Sequence, residues 1–292
     1  MNKRIKSAKY LSNFESIFKC PVCNSSMKVF QLKSLICLNN HTFDFAKQGY
    51  INLTVHPVKT KYGKDLFEAR RKLIIEYGFF KPLSQAIAET ISKHTVNKET
   101  ISLIDMGCGE GSHLSQISDI VNSEYSKIVT GVGIDLSKEG VSVAAKNYFD
   151  KIWAVADLAN TPFADKQFDV ILNILSPSNY TEFNRLLKAE GLVIKIVPQS
   201  GYLKELREVI FDEPEKQSYS NADIVKRFNE NIQLVDRSSL CYTVELDNPG
   251  IQTLIQMTPL SWATAEEQFK TLLKADSTKV TVDLEILIAK KE

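Results

Sequence analysis

The sequence has no long hydrophobic run. Its apolar stretches, such as the one around Val193 to Pro198, are far shorter than the roughly 20 residues that a membrane-spanning helix requires. The first residues, MNKRIKSAKYLSNFESIF, lack the uninterrupted apolar core of a secretory signal peptide. The sequence therefore predicts a cytoplasmic protein that does not enter a membrane.

Cysteines are few and odd in number, with 5 in 292 residues. This argues against a disulfide framework and favours metal ligation in a reducing compartment. Three of the cysteines lie beside a histidine in the pattern C-x2-C-x13-C-x3-H, formed by Cys20, Cys23, Cys37 and His41. Three thiolates and one imidazole on two tight knuckles give the closed tetrahedral shell of a structural zinc ion, Zn2+. The alternative is a set of scattered buried thiols, which this spacing disfavours.

The two other cysteines, Cys108 and Cys241, are expected to be free thiols. Because four protein ligands leave no open coordination position, the predicted zinc site has no catalytic role of its own. The short apolar pieces around it, MKVF and SLIC, indicate a small β-rich module that needs the metal as a staple.

The chain as a whole has little excess of either charge, with a formal net charge of +1. The charges are nevertheless unevenly distributed, because residues 1–100 carry 17 Lys and Arg against 7 Asp and Glu. The basic residues cluster in MNKRIKSAKY, in KTKYGK (59–64) and in ARRK (69–72). This distribution is typical of contact with a polyanion, although a solvated basic surface is the simpler alternative.

Internal repeats and low-complexity tracts are absent, so the organisation follows from changes in pattern. Residues 1–58 are predicted to form the zinc module, and residues 59–98 a basic linker and two helices broken at Gly78 and Pro82. Residues 99–292 alternate strands with helices, as in ISLIDMGCGEG, SHLSQISDIV and KIVTGVGIDLS. Such βαβ units predict an α/β domain with a mostly parallel, doubly wound sheet. The last strand, VTVDLEILIAKK, is expected at an antiparallel edge.

A glycine-rich turn follows the first of these strands in LIDMGCGEG, residues 103–111. The strand ends in Asp105, and Gly107, Gly109 and Gly111 let the backbone approach a nucleotide cofactor. A dinucleotide-binding fingerprint would need glycine at position 112, where Ser112 stands. The turn fits S-adenosylmethionine (SAM) instead, with the glycines against its methionyl part.

Two further acids support a SAM site. Asp135 ends the second strand in GVGIDLS, where a carboxylate can accept hydrogen bonds from both ribose hydroxyls. Asp157, after the third strand in VADLANTPF, can bind the adenine amino group, with the Leu158 amide near the ring. Each acid alone could be a cap or turn residue, but all three elements in order predict a Rossmann-like class I methyltransferase domain.

The loop after the fourth strand lacks the Asn-Pro-Pro-Tyr sequence typical of methylation at exocyclic amino groups, and reads NILSPSNY (173–180). A ring nitrogen, an oxygen or a carbon is then the expected methyl acceptor. Asp44, Asp65 and Glu68 lie in the region expected to face the substrate, but the sequence does not rank them as a base.

The chain resembles, over nearly its full length, the bacterial 23S rRNA (guanine-N1)-methyltransferases. The similarity is carried by CPVC, the C-x3-H knuckle, FDFAKQGYINL (43–53), FEARRKLIIEYGFFKPL (67–83), DMGCGEG and QMTPLSW (256–262). The resemblance implies a homodimer in which the zinc modules help to bind a hairpin loop of 23S rRNA. It further implies SAM contacts at Phe80, His113, Leu114 and Tyr202, with Phe80 in place of a tyrosine and Tyr202 in place of the histidine of one branch.

Arg70 and Arg71 are candidates for contact with RNA phosphates, although one of the pair could be an ordinary helix-surface residue. Two other functions stay open: methylation of a small molecule such as a quinone precursor or an antibiotic, and a zinc-bearing RNA-binding factor without activity. The sequence does not identify which of two neighbouring guanines is modified. NILSPSNYTEF favours the branch linked to macrolide and ketolide response.

Overall fold

The computed structural model describes residues 2–58, 60–211, 219–261 and 266–291. Among these residues lie a small three-stranded antiparallel sheet and a large eight-stranded sheet. Trp262, which ends the QMTPLSW stretch, lies outside the described residues.

The N-terminal part is built around the small sheet. Helix α1 (Lys3–Leu11) and a single 3-10 turn precede β1 (Met27–Phe30), β2 (Ser34–Cys37) and β3 (Thr42–Asp44). The hairpin from β1 to β2 turns through Gln31 and Leu32, both with left-handed backbone angles. The prediction of a small β-rich module around the cysteines is confirmed.

The large sheet alternates with helices along the chain. Its elements in order are β4 (Ile51–Asn52), α2 (Lys64–Ile75), α3 (Lys81–His94), β5 (Thr100–Met106), α4 (Ser112–Tyr125), β6 (Ile128–Asp135), α5 (Lys138–Asn147), β7 (Ile152–Val155), β8 (Phe168–Ile174), α6 (Tyr180–Leu186), β9 (Leu187–Pro198), α7 (Lys204–Ile210), α8 (Ala222–Asn231), β10 (Gln233–Asp247), α9 (Asn248–Met257), α10 (Lys270–Lys274) and β11 (Ser277–Lys290). The two predicted helices before β5 are confirmed as α2 and α3.

Strand order in the large sheet is β10-β11-β9-β8-β5-β6-β7-β4. The strands from β9 to β4 are parallel, whereas β11 is antiparallel to both of its neighbours. The predicted α/β architecture is therefore confirmed. The expected antiparallel direction of β11 is also correct, but its expected edge position is wrong, because the 15-residue β10 covers it and forms the edge.

The zinc module packs directly on the large sheet. Strand β4 extends this sheet by pairing with β7, and Leu53 N–H donates to the carbonyl of Val155. The rings of Phe18 and Phe163 lie 5.1 Å apart, and their backbones form an antiparallel bridge. One hydrophobic cluster thus joins the module to one face of the sheet, while helices α2 to α5 pack on the other.

Nowhere in the described part of the chain does a helix combine the length and apolarity needed to span a lipid bilayer.

Candidate functional site

The four predicted metal ligands meet at one point. One ligand atom from each of Cys20, Cys23, Cys37 and His41 lies within 4.8 Å of the others. The sulfur atoms of Cys23 and Cys37 are 3.7 Å apart, and His41 Nδ1 is 3.4 Å from the Cys37 sulfur. Such a compact set of three sulfurs and one nitrogen has the composition of a structural zinc site.

Two tight turns place these ligands. The chain turns at each knuckle through an asparagine with left-handed backbone angles, Asn24 directly after Cys23 with φ 59° and Asn40 directly before His41 with φ 63°. Asparagine tolerates this region better than most residues because its short polar side chain bonds locally. The Val22 and His41 amides donate to the sulfurs of Cys20 and Cys37. Hydrogen bonds of this kind lower the pKa of Cys37, whereas burial raises that of Cys20.

The thiol chemistry also fits zinc. A hydrogen bond from the Ser25 side chain, with Oγ 3.0 Å from the Cys23 sulfur, lowers the pKa of Cys23 to about 5. A thiolate is the form that binds zinc. The residues therefore fit the ion that the sequence predicted, and Cys20, Cys23, Cys37 and His41 would hold it.

The glycine-rich turn lies between the ends of β5 and β6. Gly107, Gly109 and Gly111 all have positive φ, at 94°, 54° and 81°. A Cβ on Gly107 would lie 2.1 Å from the Ser176 hydroxyl, and one on Gly111 would lie 2.4 Å from the Trp153 ring. Only glycine therefore permits this path. The side of Gly107 that a Cβ would occupy is filled by the loop after β8, whereas that of Gly111 is filled by the core residue Trp153.

Asp135 is fixed at the end of β6 by backbone donors. Its two carboxylate oxygens accept hydrogen bonds from the amides of Gly109, at 2.9 Å, and Ser137, at 2.8 Å. The hydrogen bond from Gly109 joins Asp135 to the glycine turn. Each carboxylate oxygen keeps further lone pairs, so the side chain can also accept from ribose hydroxyls.

Asp157 and Leu158 follow β7, as predicted. The Asp157 side chain is exposed and accepts a hydrogen bond from the Ala159 amide at 2.9 Å. Leu158 reaches the glycine turn, because a Cβ on Gly107 would lie 4.0 Å from its Cδ1. The structure thus brings the loops after β5, β7 and β8 together at the carboxyl edge of the sheet, where ligands of such sheets bind.

Asp105 and His113 are buried beneath the turn and carry unpaired polar atoms. Asp105 is 1% exposed, and burial raises its pKa to about 7. Burial also lowers the pKa of His113 to about 3, and its ring packs 5.1 Å from that of Phe80. Neither ring nitrogen of His113, nor Oδ1 of Asp105, has a hydrogen-bond partner within the described part of the chain.

Leu114 and Tyr202 occupy more apolar surroundings. Leu114 is fully buried and packs on β6, where a Cβ on Gly131 would lie 3.4 Å from its Cδ1. Tyr202 is 9% exposed, and burial raises its pKa to about 12. The core position of Leu114 agrees with simple packing of its side chain, so a cofactor contact at this residue stays a prediction.

Arg70 and Arg71 lie on α2 and are both half-buried. Arg70 points toward the glycine turn, with Nε 3.3 Å from the carboxylate of Glu110. Glu110 itself is 1% exposed. Glu110 is part of the motif DMGCGEG, but nothing in the motif distinguishes it from an ordinary turn residue.

Asn173 and Lys195 were also not predicted. Both are buried on adjacent strands, and Lys195 Nζ donates to Asn173 Oδ1 at 2.6 Å. The available signal was a single polar residue within each of two apolar strands, VILNIL and LVIKIV. Buried polar groups of this kind are normally hydrogen-bonded, and here they hold the loop after β8.

The pocket fits the methyl donor in two independent respects. The glycines let the backbone of the turn pass where a side chain would clash with Ser176 or Trp153, and buried polar atoms of Asp105 and His113 lack hydrogen-bond partners among the described residues. SAM offers an ammonium, a carboxylate and two ribose hydroxyls for such groups.

Two protein-family models match the sequence. A zinc-ribbon model described as "RlmA, N-terminal" matches residues 18–64, and one described as "Methyltransferase domain" matches residues 104–194. The first range contains all four zinc ligands, and the second runs from β5 into β9. Together with the fold, these matches confirm Zn2+ and SAM as the cofactors.

Relatives match over nearly the whole chain. A candidate 23S rRNA (guanine-N1)-methyltransferase of Bacillus subtilis strain 168 is 48% identical over 278 residues, which cover 94% of this chain and 98% of the relative. The 23S rRNA (guanine(748)-N1)-methyltransferase of Streptomyces fradiae is 28% identical, over 86% of this chain and 87% of its own.

Among solved structures, a phosphoethanolamine N-methyltransferase of Haemonchus contortus superposes with a TM-score of 0.48 at 16% identity, covering 80% of this chain and 58% of its own. The sequence similarities decide the family. With 48% identity to a relative across 94% of its length, the chain belongs to the 23S rRNA (guanine-N1)-methyltransferase family.

Proposed function

We propose that this protein transfers the methyl group of SAM to N1 of a guanine in a hairpin loop of 23S rRNA. The observation that carries the proposal is the 48% identity, across 94% of the chain, to a candidate enzyme of that specificity. The joined architecture supports it, since a zinc ribbon packs on the sheet that carries the donor pocket.

The residues of the pocket have distinct parts in this reaction. SAM supplies an electrophilic methyl group when bound. Asp135 would orient the ribose, Asp157 and Leu158 the adenine, and the loop containing Ser176 would face the incoming guanine. The predicted contacts of Phe80, His113 and Tyr202 would enclose the donor and exclude water, which strengthens the electrostatic interactions within the site.

Guanine N1 carries a proton at neutral pH, and this proton must leave as the methyl group arrives. A positioned carboxylate would assist. Of the three candidates in the expected substrate region, Asp44 accepts a hydrogen bond from Ser34, Glu68 pairs with Lys64, and Asp65 lies in the first turn of α2. All three are exposed, so no base is assigned.

The zinc module, residues 1–58, is proposed to recognise the RNA. Its β1–β2 hairpin presents Phe30 with 55% of its surface exposed, between the exposed side chains of Lys28 and Lys33. An exposed aromatic ring flanked by cations suits single-stranded RNA, because unpaired bases stack on aromatic rings while lysines contact phosphates. Arg71 is a further candidate for phosphate contact.

The family resemblance also supplies the proposed location, oligomeric state and branch of the protein. The protein acts in the cytoplasm, where ribosomal RNA is found, as a homodimer whose two zinc modules form the RNA cleft. We place it in the branch linked to macrolide and ketolide response, as NILSPSNYTEF suggests. The relative named for guanine 748 makes that guanine and its neighbours the positions to map.

The direct test compares 23S rRNA from a deletion strain, from the same strain with the gene restored, and from one restored with Asp135→Ala. Methylation at N1 blocks Watson–Crick pairing, so reverse transcriptase should stop one nucleotide before the modified guanine. The stop should vanish on deletion and return only with the wild-type gene. An unchanged stop in the deletion strain would overturn the rRNA target.

Binding and transfer assays with the purified protein distinguish the alternative functions. If purified protein binds SAM but transfers no methyl group to 23S rRNA, a small-molecule acceptor becomes the better explanation. If it binds the rRNA hairpin without binding SAM, the protein is an RNA-binding factor without activity. Ketolide susceptibility of the three strains tests the proposed branch.

A further inference from the structure

Arg70 lies within the proposed donor pocket, although the sequence gave it as a candidate for RNA-phosphate contact or as an ordinary helix-surface residue. Its side chain is 22% exposed, and its Nε is 3.3 Å from the Glu110 carboxylate, which is 1% exposed. A Cβ on Gly109 would lie 3.8 Å from Arg70 Nη1, so the guanidinium reaches the centre of the glycine turn.

The charges around Arg70 are unbalanced. Three carboxyl groups, those of Asp105, Glu110 and Asp135, are close enough to interact with one another or with this single guanidinium. SAM carries two positive charges, on its sulfonium and ammonium groups, and one negative charge on its carboxylate. The pocket therefore has the complementary arrangement of an excess of acid around one basic group.

Hydrogen bonding in the pocket is incomplete. Arg70 Nε, both oxygens of Glu110 and Oδ1 of Asp105 lack a partner of good geometry among the residues that the structure describes. Buried polar atoms are nearly always hydrogen-bonded, so this group of atoms indicates a missing polar ligand. A guanidinium has five N–H donors in a planar fork that matches a carboxylate.

We infer that Arg70 binds the carboxylate of the methionyl part of SAM. The Glu110 carboxylate pairs with Nε of the guanidinium and orients it toward the glycine turn, so Glu110 is a positioning residue. The inference deepens the proposed donor site and rests on it. It gives Arg70 a part in donor binding, while contact with RNA phosphate stays proposed for Arg71.

The test uses calorimetric binding of SAM and of decarboxylated SAM, which keeps the sulfonium, the ammonium, the ribose and the adenine. Wild-type protein should bind decarboxylated SAM roughly 10- to 100-fold more weakly than SAM, as expected for the loss of hydrogen bonds between charged groups. Arg70→Gln should weaken SAM binding by a similar factor and leave decarboxylated SAM within about threefold. Discrimination between the two ligands would then be lost.

Three further variants test whether the discrimination between SAM and decarboxylated SAM depends on the Arg70 guanidinium. Lys72→Gln removes a positive charge from the same helix and should retain the wild-type discrimination. Arg70→Lys keeps the charge without the planar fork and should give an intermediate loss. Asp135→Ala, which removes the proposed ribose acceptor, should weaken both ligands by the same factor.

Each other outcome overturns the inference in a recognisable way. Equal weakening of both ligands in Arg70→Gln would make Arg70 a structural residue of the pocket. Unchanged SAM affinity, combined with weaker binding of the rRNA hairpin, would assign Arg70 to RNA phosphate. Failure of the wild-type protein to bind either ligand would instead overturn the donor site of the proposed function.

Discussion

Asn173 and Lys195 face each other on the neighbouring parallel strands β8 and β9, joined by a 2.6 Å hydrogen bond from the lysine Nζ to the asparagine Oδ1. The pair holds the loop after β8, which is proposed to face the donor. Asn173 donates to the carbonyls of Met106 and Pro177, both at 3.0 Å, and Lys195 also donates to the carbonyl of Ser176 at 3.1 Å. The end of β5 and the loop after β8 are thereby fixed to each other.

The first prediction concerns the pH dependence of stability at Lys195. Burial lowers the pKa of Lys195 to about 8, from 10.5. Between these values the unfolded chain binds more protons at this position than the folded chain, so the free energy of unfolding should rise with pH. Lys195→Met cannot titrate. The stability of the wild type relative to this variant should therefore increase from pH 8 to pH 10, as measured by urea unfolding.

Lys188→Met is the control for this experiment, since Lys188 lies on the same strand with its side chain 41% exposed. This variant measures the effect of removing, from the same strand, a lysine charge that is not buried. A constant difference between wild type and Lys195→Met across pH 8 to 10 would contradict the prediction.

The second prediction is that SAM affinity depends on the ionisation of Asp105. Burial, with repulsion from Asp135 and Glu110 and opposed by Arg70, raises the pKa of Asp105 to about 7. Because the carboxylate favours a cationic donor, affinity should rise by about eightfold from pH 6 to pH 7.5 if only the ionised form binds. Calorimetry of wild type and Asp105→Asn measures the change.

Asp105→Asn should remove this rise, because its side chain cannot ionise. The same pKa shift has the opposite consequence for the ligand-free protein. Since the folded pKa lies above the usual value of 3.8, the contribution of Asp105 to stability is present at pH 4 and is lost as the pH rises through 7. An equal pH dependence in both proteins would rule out Asp105 as the titrating group.

The third prediction concerns Asp135→Ala. The substitution removes both the proposed ribose acceptor and the partner of the Gly109 and Ser137 amides. Each hydrogen bond to a charged group contributes about 1.5–3 kcal/mol, so SAM affinity should fall by at least tenfold. Asp157→Ala, at an exposed position with one bond to the Ala159 amide, should cost less. Unchanged affinity in folded Asp135→Ala would refute its assignment.

Local sequence patterns predicted the zinc cluster because its geometry depends on short spacings. Cys20 and Cys23, or Cys37 and His41, meet within single turns, and only the contact between the two knuckles is longer in range. The proposed donor acids were placed by a different argument, the order of strand ends in a parallel sheet. Asp105 and Asp135 end adjacent parallel strands, paired in register from Thr100 to Met106. In such cases the sequence specifies which side chains share an edge.

Longer-range packing was not predictable in the same way. Strand β4 has 2 residues, too few for a periodic signal, yet it joins the zinc module to the main sheet. The edge position expected for β11 was wrong because the long strand β10, which precedes it and the helices α9 and α10, pairs on its outer side. The inward direction of Arg70 depends on how α2 packs against the glycine turn, which the charge cluster EARRK did not indicate.

The fourth prediction addresses the proposed RNA surface. Phe30→Ala should weaken binding of the rRNA hairpin by about 1–3 kcal/mol, the contribution of one stacked base, while SAM affinity and zinc content stay unchanged. Phe149→Ala is the comparison variant, because this ring is also exposed, at 44%, but lies outside residues 1–58, with Lys3 Nζ at 4.7 Å from the ring centre. Fluorescence anisotropy with a labelled hairpin gives both affinities. Equal effects of the two substitutions would remove Phe30 from the proposed contact surface.

The last prediction joins the two halves of the chain through Cys37→Ser. Purified wild-type protein should contain one zinc ion per chain, and the variant clearly less, by elemental analysis under conditions that do not strip metal. Loss of one thiolate should open the knuckles and the small sheet, because a module of this size depends on its metal. Hydrogen exchange should then accelerate in residues 20–45 more than in β5 and β6.

One hydrophobic cluster joins the zinc module to the large sheet, so Cys37→Ser tests whether RNA recognition and SAM binding are independent. Phe18 packs on Phe163 and β4 pairs with β7, so disorder could spread from the module toward Asp157. The glycine turn and Asp135, however, are held by β5, β6 and α2.

SAM binding should therefore survive in Cys37→Ser while rRNA methylation collapses. RNA binding by the wild type should weaken with salt, log K falling by about 0.7 per phosphate neutralised for each unit of log salt. Joint loss of SAM binding and methylation would show that the zinc module also supports the donor pocket, and methylation at the wild-type rate would exclude the module as the RNA reader.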